Sequence, residues 1–254
     1  MKAGNRGKAE VHFDSWQWAF AIGAALLVGI SKTGIGGLGM LSVVIFAQIM
    51  PAKQATGMVL PLLILGDIMA VASYRRHTQW KFLWKLFPWT GLGVLVGYFA
   101  LGRINDHQAK MLIAAIILIL VVVHLLRRRG MVKEEQSHGW AFAPIIGVLA
   151  GFTTLVANAA GPLMAIYLLA MRLPKMEFVG TGAVFFLLLN LFKVPFMMKL
   201  GLITPPSLWI NLQLAPAVLL GAWFGRKILV KIDQRAFENL ALVLSALAGA
   251  KLLF

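Results

Sequence analysis

Long apolar runs alternate with short polar breaks along the chain, and the lengths of the runs separate them into two kinds. Apolar stretches fall at about 16–30, 38–50, 55–74, 82–102, 108–126, 140–157, 161–172, 177–199, 206–230 and 236–254. A helix needs about 20 apolar residues to cross the hydrocarbon of a bilayer. The pairs 16–30 with 38–50 and 140–157 with 161–172 fall short, and a polar, glycine-rich break joins the members of each pair. Each pair is expected to be a hairpin dipping into the membrane, or two short helices meeting at a break. The other six runs are long enough to span. One hydrophilic connector, residues 127–135, lies at the middle of the chain.

That central position suggests a duplication. Pro88, Gly93 and Gly97 recur as Pro216, Gly221 and Gly225, and Arg103-Ile104-Asn105 recurs as Lys231-Ile232-Asp233, all at an offset of 128. Upstream the offset is 123 or 124, matching Gly37 with Gly161, Gly57 with Gly180 and Asp67 with Asn190. Each copy then holds one hairpin and three spans. An odd number of crossings per copy turns the second copy upside down, the inverted-repeat plan of many secondary transporters. The expected architecture is an all-α polytopic membrane protein of two inverted repeats. Its divisions are an N-terminal tail (1–15), a first repeat (16–126), a cytoplasmic connector (127–139) and a second repeat (140–254).

Composition agrees with the pattern. Hydrophobic residues make up 60 % of the 254, beyond the range of soluble domains. A net charge of +15 would suggest nucleic acid in a soluble protein. Here the basic residues cluster at the ends of apolar runs, with no aromatic-interleaved basic face, so they act as topology determinants and nucleic acid is not an expected partner. Sorting them by the predicted layout puts fourteen on one side and eight on the other, which makes the first side cytoplasmic and both termini external. The segment from Trp16 lacks a small-x-small cleavage site and is expected to be retained. The chain has no cysteine, which excludes disulfides, thiolate nucleophiles and cysteine-ligated metals.

Two basic residues, Lys32 and Lys193, fall inside the apolar regions. A charged group there is costly unless it faces a partner or a water-filled cavity. Lys32 belongs to the break Gly29-Ile30-Ser31-Lys32-Thr33-Gly34-Ile35-Gly36-Gly37. Its hydroxyls and glycines expose backbone N–H groups where the next helix points its N-terminus, an arrangement suited to an anion. Snorkelling of Lys32 to an interface is the bland alternative. Asn158, in Ala157-Asn158-Ala159-Ala160-Gly161-Pro162, occupies the second break, with an amide where the first has an ammonium. Asn190 stands one turn before Lys193 on the same face. Asp67, the one acid inside a span, is expected to neutralise a lysine, Lys193 being the natural partner, or to carry a coupling proton. Thr153, Thr154 and Thr181 are expected to bond back to their own helices. The histidines are scattered, and no catalytic or metal-ligating set gathers at one depth.

Taken together, these motifs resemble the TauE/SafE family of sulfite and organosulfur anion exporters. The residues that carry the resemblance are the Gly-x-Ser-Lys-x-Gly-x-Gly-Gly break, Leu-Pro-Leu-Leu…Asp…Tyr-Arg-Arg at 60–76, and the two Pro-x4-Gly-x3-Gly motifs. The mid-chain basic loop, Gly161-Pro162, Gly180-Thr181 and Asn190-x2-Lys193 add to it. The resemblance spans residues 19–253 and implies transport of small anions such as sulfite, sulfoacetate or other sulfonates, with no cofactor. The resulting expectation is a non-enzymatic secondary transporter of the bacterial inner membrane working by alternating access. Its anion site comprises Ser31, Lys32, Thr33, Gly34, Gly36, Gly37, Asn158, Gly161, Asn190 and Lys193, with Asp67 for coupling or charge balance. Glycine-lined spans would also permit a homodimer. An anion channel and a membrane-embedded enzyme or assembly factor are the rival readings.

Overall fold

The computed structural model describes residues 13–33, 39–128 and 140–229. All regular structure among them is helical. The helices are α1 (Ser15–Thr33), α2 (Gly39–Ile49), α3 (Ala52–Tyr74), α4 (Trp80–Arg103), α5 (Asp106–Arg128), α6 (Phe142–Ala157), α7 (Gly161–Ala170), α8 (Lys175–Lys199) and α9 (Pro205–Leu229), with a 3-10 turn at Arg75–His77. Three of the described helical stretches are long and apolar enough to cross a membrane, Ala52–His77, Met176–Lys199 and Pro205–Lys227. Helices α4 and α5 match them in length, with 24 and 23 residues. The run 236–254 lies outside the described residues.

Local signals set the helix starts. Pro51 and Pro174 stand immediately before α3 and α8, where a missing N–H costs nothing and the fixed φ favours entry. Asn105 and Gln108 cap α5 reciprocally: the Gln108 N–H donates to Asn105 Oδ1 at 2.8 Å and the Asn105 N–H to Gln108 Oε1 at 2.9 Å. Thr204 and Ser207 repeat the device at α9.

Both short pairs are hairpins. Gln17 Nε2 donates to the Ile49 carbonyl at the open end of the first, and Ser42 Oγ to the Ala24 carbonyl nearer its tip. In the second, the Phe142 ring stacks on Tyr167 at 6.1 Å, so α7 returns along α6. The tip of this hairpin turns at Asn158, a left-handed residue with φ 50° and ψ 35°. Its N–H donates to the Thr154 carbonyl and that of Ala159 to Thr153, closing the helix end.

Helices α3 and α8 cross the centre antiparallel. Gly57 near the start of α3 lies against the Leu202 backbone just past α8, while Gly180 near the start of α8 lies against Tyr74 and His77 at the end of α3. Two parallel pairs flank them, α1 with α9 and α4 with α6. Glycines bring each pair into backbone contact, because a Cβ at Gly29 would overlap the Val218 carbonyl and one at Gly221 the Leu26 carbonyl. A Cβ at Gly93 would overlap the Val148 carbonyl, and one at Gly151 the Thr90 carbonyl. Small residues of this kind drive helix association in membranes, where no hydrophobic force operates between helices. Val218 and Ala222, which face Gly29, follow by 128 residues Thr90 and Val94, which face Gly151.

Candidate functional site

Six polar side chains from the apolar runs join into one ladder at the crossing of α3 and α8. Its first rung is Lys32, in the last turn of α1, where the negative end of the helix dipole favours a cation. The Lys32 ammonium stands 2.8 Å from Asp67 Oδ1 on α3 and 4.6 Å from the centre of the Phe186 ring. Lys32 and Asp67 form an ion pair at hydrogen-bonding distance. Gly66 makes room for it, since a Cβ there would meet Lys32 Cγ at 2.9 Å. The other carboxylate oxygen, Oδ2, accepts from Asn190 Nδ2 at 2.5 Å.

One turn beyond Asn190, Lys193 projects from the same face of α8. Its ammonium donates to the Asn158 Oδ1 at 2.6 Å, the Thr154 Oγ1 at 3.0 Å and the Thr154 carbonyl at 3.1 Å. Three donors therefore meet three neutral oxygens. Asn158 completes the ladder by donating Nδ2 to the Thr56 carbonyl of α3 at 3.0 Å. The ladder thus runs from α1 through α3 and α8 to the tip of the second hairpin, and back to α3.

Its depth follows from the helix geometry. Asp67 comes ten residues after Gly57, and Asn190 ten after Gly180, each about 15 Å of helix from a contact at opposite ends of the crossing. The two meet near the middle. Lys193 is 0 % exposed and Asp67 1 %, whereas the Lys32 side chain keeps 11 %. Among the described residues Lys32–Asp67 is the one ion pair, so Lys193 has no carboxylate partner. The buried ladder holds two ammonium groups and one carboxylate.

The other expected site residues stand around it. Ser31 is buried. Thr33 Oγ1 approaches the Gly29 carbonyl of its own helix at 3.1 Å and the Ala222 carbonyl of α9 at 2.7 Å, and Tyr74 OH donates to the Thr33 carbonyl. Gly161 begins α7, directly after the second break. Gly34, Gly36 and Gly37 lie outside the described residues.

Three features differ from the sequence expectation. Asp67 pairs with Lys32, leaving Lys193 to the second break. Thr153 does bond back, to Leu149, but the Thr154 hydroxyl accepts from Lys193 and that of Thr181 accepts the Gln79 N–H. The Thr56 carbonyl and the Phe186 ring carried no sequence signal. Thr154 did carry one, standing three residues after Gly151 as Lys32 stands three after Gly29. A second buried amide, Asn211 on α9, has no hydrogen-bond partner for either Nδ2 or Oδ1. No group of three or more His, Asp or Glu among the described residues could hold a metal ion.

No curated protein and no solved structure matches the chain. The model of the sulfite exporter TauE/SafE family matches residues 21–252, nearly its full length. An integral membrane bundle with a charged ladder at its centre is in keeping with that match, and the chain belongs to the TauE/SafE family.

Proposed function

We propose that the protein is a secondary transporter moving small sulfur-containing or organic anions, such as sulfite, sulfoacetate or related sulfonates, by alternating access. The observation that carries this reading is Lys193, a fully buried ammonium held by neutral oxygens alone. A charge buried without a counter-charge is expensive, and in membrane proteins such groups mark ion or substrate routes. An anion supplies the missing charge. Lys32, the member of the ladder with exposed surface, is its first contact, with Ser31 and Thr33 beside it in the chain and Gly34, Gly36 and Gly37 next in sequence. Asn158, Asn190 and Gly161 contribute from the second copy. Asp67 balances the charge of Lys32 or carries a coupling proton.

The two copies are inverted repeats in this reading. The antiparallel crossing of α3 with α8, and the exchange of partners that sets α1 on α9 and α4 on α6, support it. The two glycine-tight pairs are the bodies that rock about the centre. Side chains fill the crossing between them, which favours a carrier over an open channel. The basic ends of α3 and α4 (Arg75, Arg76, Lys81, Lys85) face the bacterial cytoplasm, with Trp80 and Trp84 exposed beside them as an interfacial belt.

The test is flux into proteoliposomes loaded with sulfite, sulfoacetate, taurine or short carboxylates. Saturable, gradient-driven exchange of a sulfur anion that is lost in Lys32→Ala and Lys193→Gln is the expected result. Absence of flux for every anion, or a non-saturating conductance, would overturn the carrier.

A further inference from the structure

Charge at the ladder can be counted over the described residues that face Asp67 or Lys193. From α1 comes Lys32, from α3 Asp67 and the Thr56 carbonyl, from α8 Asn190 and Lys193, and from α6 and its tip Thr154 and Asn158. The Lys32–Asp67 pair cancels. With each group in its ordinary ionised form, Lys193 remains and the set carries one positive charge. A single negative charge added at Lys32 makes the buried assembly neutral. A double one leaves it negative in a low-dielectric centre, which is strongly disfavoured.

We infer that Asp67 sets the valence of the transported anion: the protein selects monoanions, such as singly charged sulfonates or hydrogensulfite, and rejects dianions of the same size. The inference rests on the anion-transport reading and narrows it to a charge class, which removes sulfoacetate, a dianion at neutral pH, from its candidate substrates. Asp67 acts by withdrawing one positive charge from a site that would otherwise hold two. Rejection of dianions is then an electrostatic exclusion, a repulsive element built against the wrong ligand. Shape contributes little to this distinction, because methanesulfonate and sulfate are both tetrahedral and differ chiefly in charge.

The experiment compares those two anions as competitors of flux and as stabilisers in thermal shift, using purified full-length protein. Wild type should respond to methanesulfonate at a concentration about tenfold lower than to sulfate. Asp67→Asn, which keeps the shape and an acceptor for Asn190, raises the site to two positive charges and should reverse the order. The double variant Asp67→Asn with Lys193→Gln, read by thermal shift because Lys193→Gln is expected to abolish flux, returns it to one and should restore the preference for methanesulfonate. It also decides the matter if the single variant fails to fold, since it lacks the extra charge. Unchanged order in Asp67→Asn, or a double variant that prefers sulfate, overturns the valence assignment while leaving anion transport standing. If neither these anions nor sulfite act on wild type, the transport reading falls with it.

Discussion

Asp67 and Asn190, 123 residues apart and matched by the internal offset of the sequence, touch each other at the centre of the bundle, with Asn190 Nδ2 donating to Asp67 Oδ2 at 2.5 Å. Because Oδ2 is occupied by the amide, Oδ1 is left to Lys32. Removing the lysine therefore strands a buried carboxylate on one neutral donor. Lys32→Ala should cost about 3–5 kcal/mol, the usual penalty for breaking a buried pair. Lys32→Ala with Asp67→Asn should recover more than half of it. Reversible unfolding in mixed micelles measures both, and simple additivity of the two substitutions would show that the pair is not coupled.

Asn158 combines a left-handed backbone with two side-chain bonds, and substitutions separate the two roles. Asn158→Gly keeps the backbone and loses both bonds. Asn158→Ala loses the bonds and adds left-handed strain of about 1–2 kcal/mol. Alanine should therefore be the less stable variant, and both should impair transport by releasing Lys193. Equal melting temperatures for the two would remove the backbone argument.

The glycines differ sharply in what surrounds them. Gly93→Ala and Gly151→Ala drive a methyl into carbonyl oxygens of the partner helix and should each cost about 1–3 kcal/mol through forced separation of α4 and α6. Nothing lies within 4 Å of a Cβ at Gly23, so Gly23→Ala should stabilise α1 by about 0.5–1 kcal/mol. A thermal-shift series across the three sites reads the contrast directly.

Asn211 is buried without partners, whereas Leu83, 128 residues earlier, fills the corresponding place with a fully buried apolar side chain. Asn211→Leu should stabilise this conformation by about 1–3 kcal/mol, the cost of an unsatisfied buried polar group. Transport should slow at the same time if the amide finds its partner in the opposite-facing state. A variant more stable and equally fast would assign Asn211 no part in the cycle.

The absence of cysteine makes the chain ready for single-cysteine mapping. Arg76 and Arg103 stand exposed at opposite ends of the α4 region. An impermeant maleimide applied to intact cells should label Arg103→Cys at once and Arg76→Cys only after permeabilisation. The reverse pattern would invert the orientation.

How far the site could be read from sequence depended on the kind of information each residue carried. Lys32, Asp67, Lys193 and Asn158 each interrupt an apolar run, and a polar group in hydrocarbon announces itself without reference to its neighbours. Their pairing did not announce itself. Either lysine is a plausible partner for Asp67 in one dimension. The choice was made by the packing of α1 against Gly66 and by the reach of Lys193 to a hairpin tip 35 residues away. The hairpins were legible from run length alone. The exchange of partners between halves was not, since it rests on backbone contacts whose only trace is a few well-placed glycines.

That exchange governs how the protein must be made. The glycine-lined face of α1 is synthesised near the start, and its cover, α9, ends 196 residues later, from Thr33 to Leu229. At ordinary elongation rates of about 5–20 residues per second, α1 waits roughly 10–40 s in the bilayer before its partner arrives. Until Asn190 is made Asp67 lacks its amide donor, and until α9 is made the small-residue face of α1 lacks its cover. Biogenesis is therefore where this arrangement leaves the chain open to mispairing, because α1 is covered only once α9 is released.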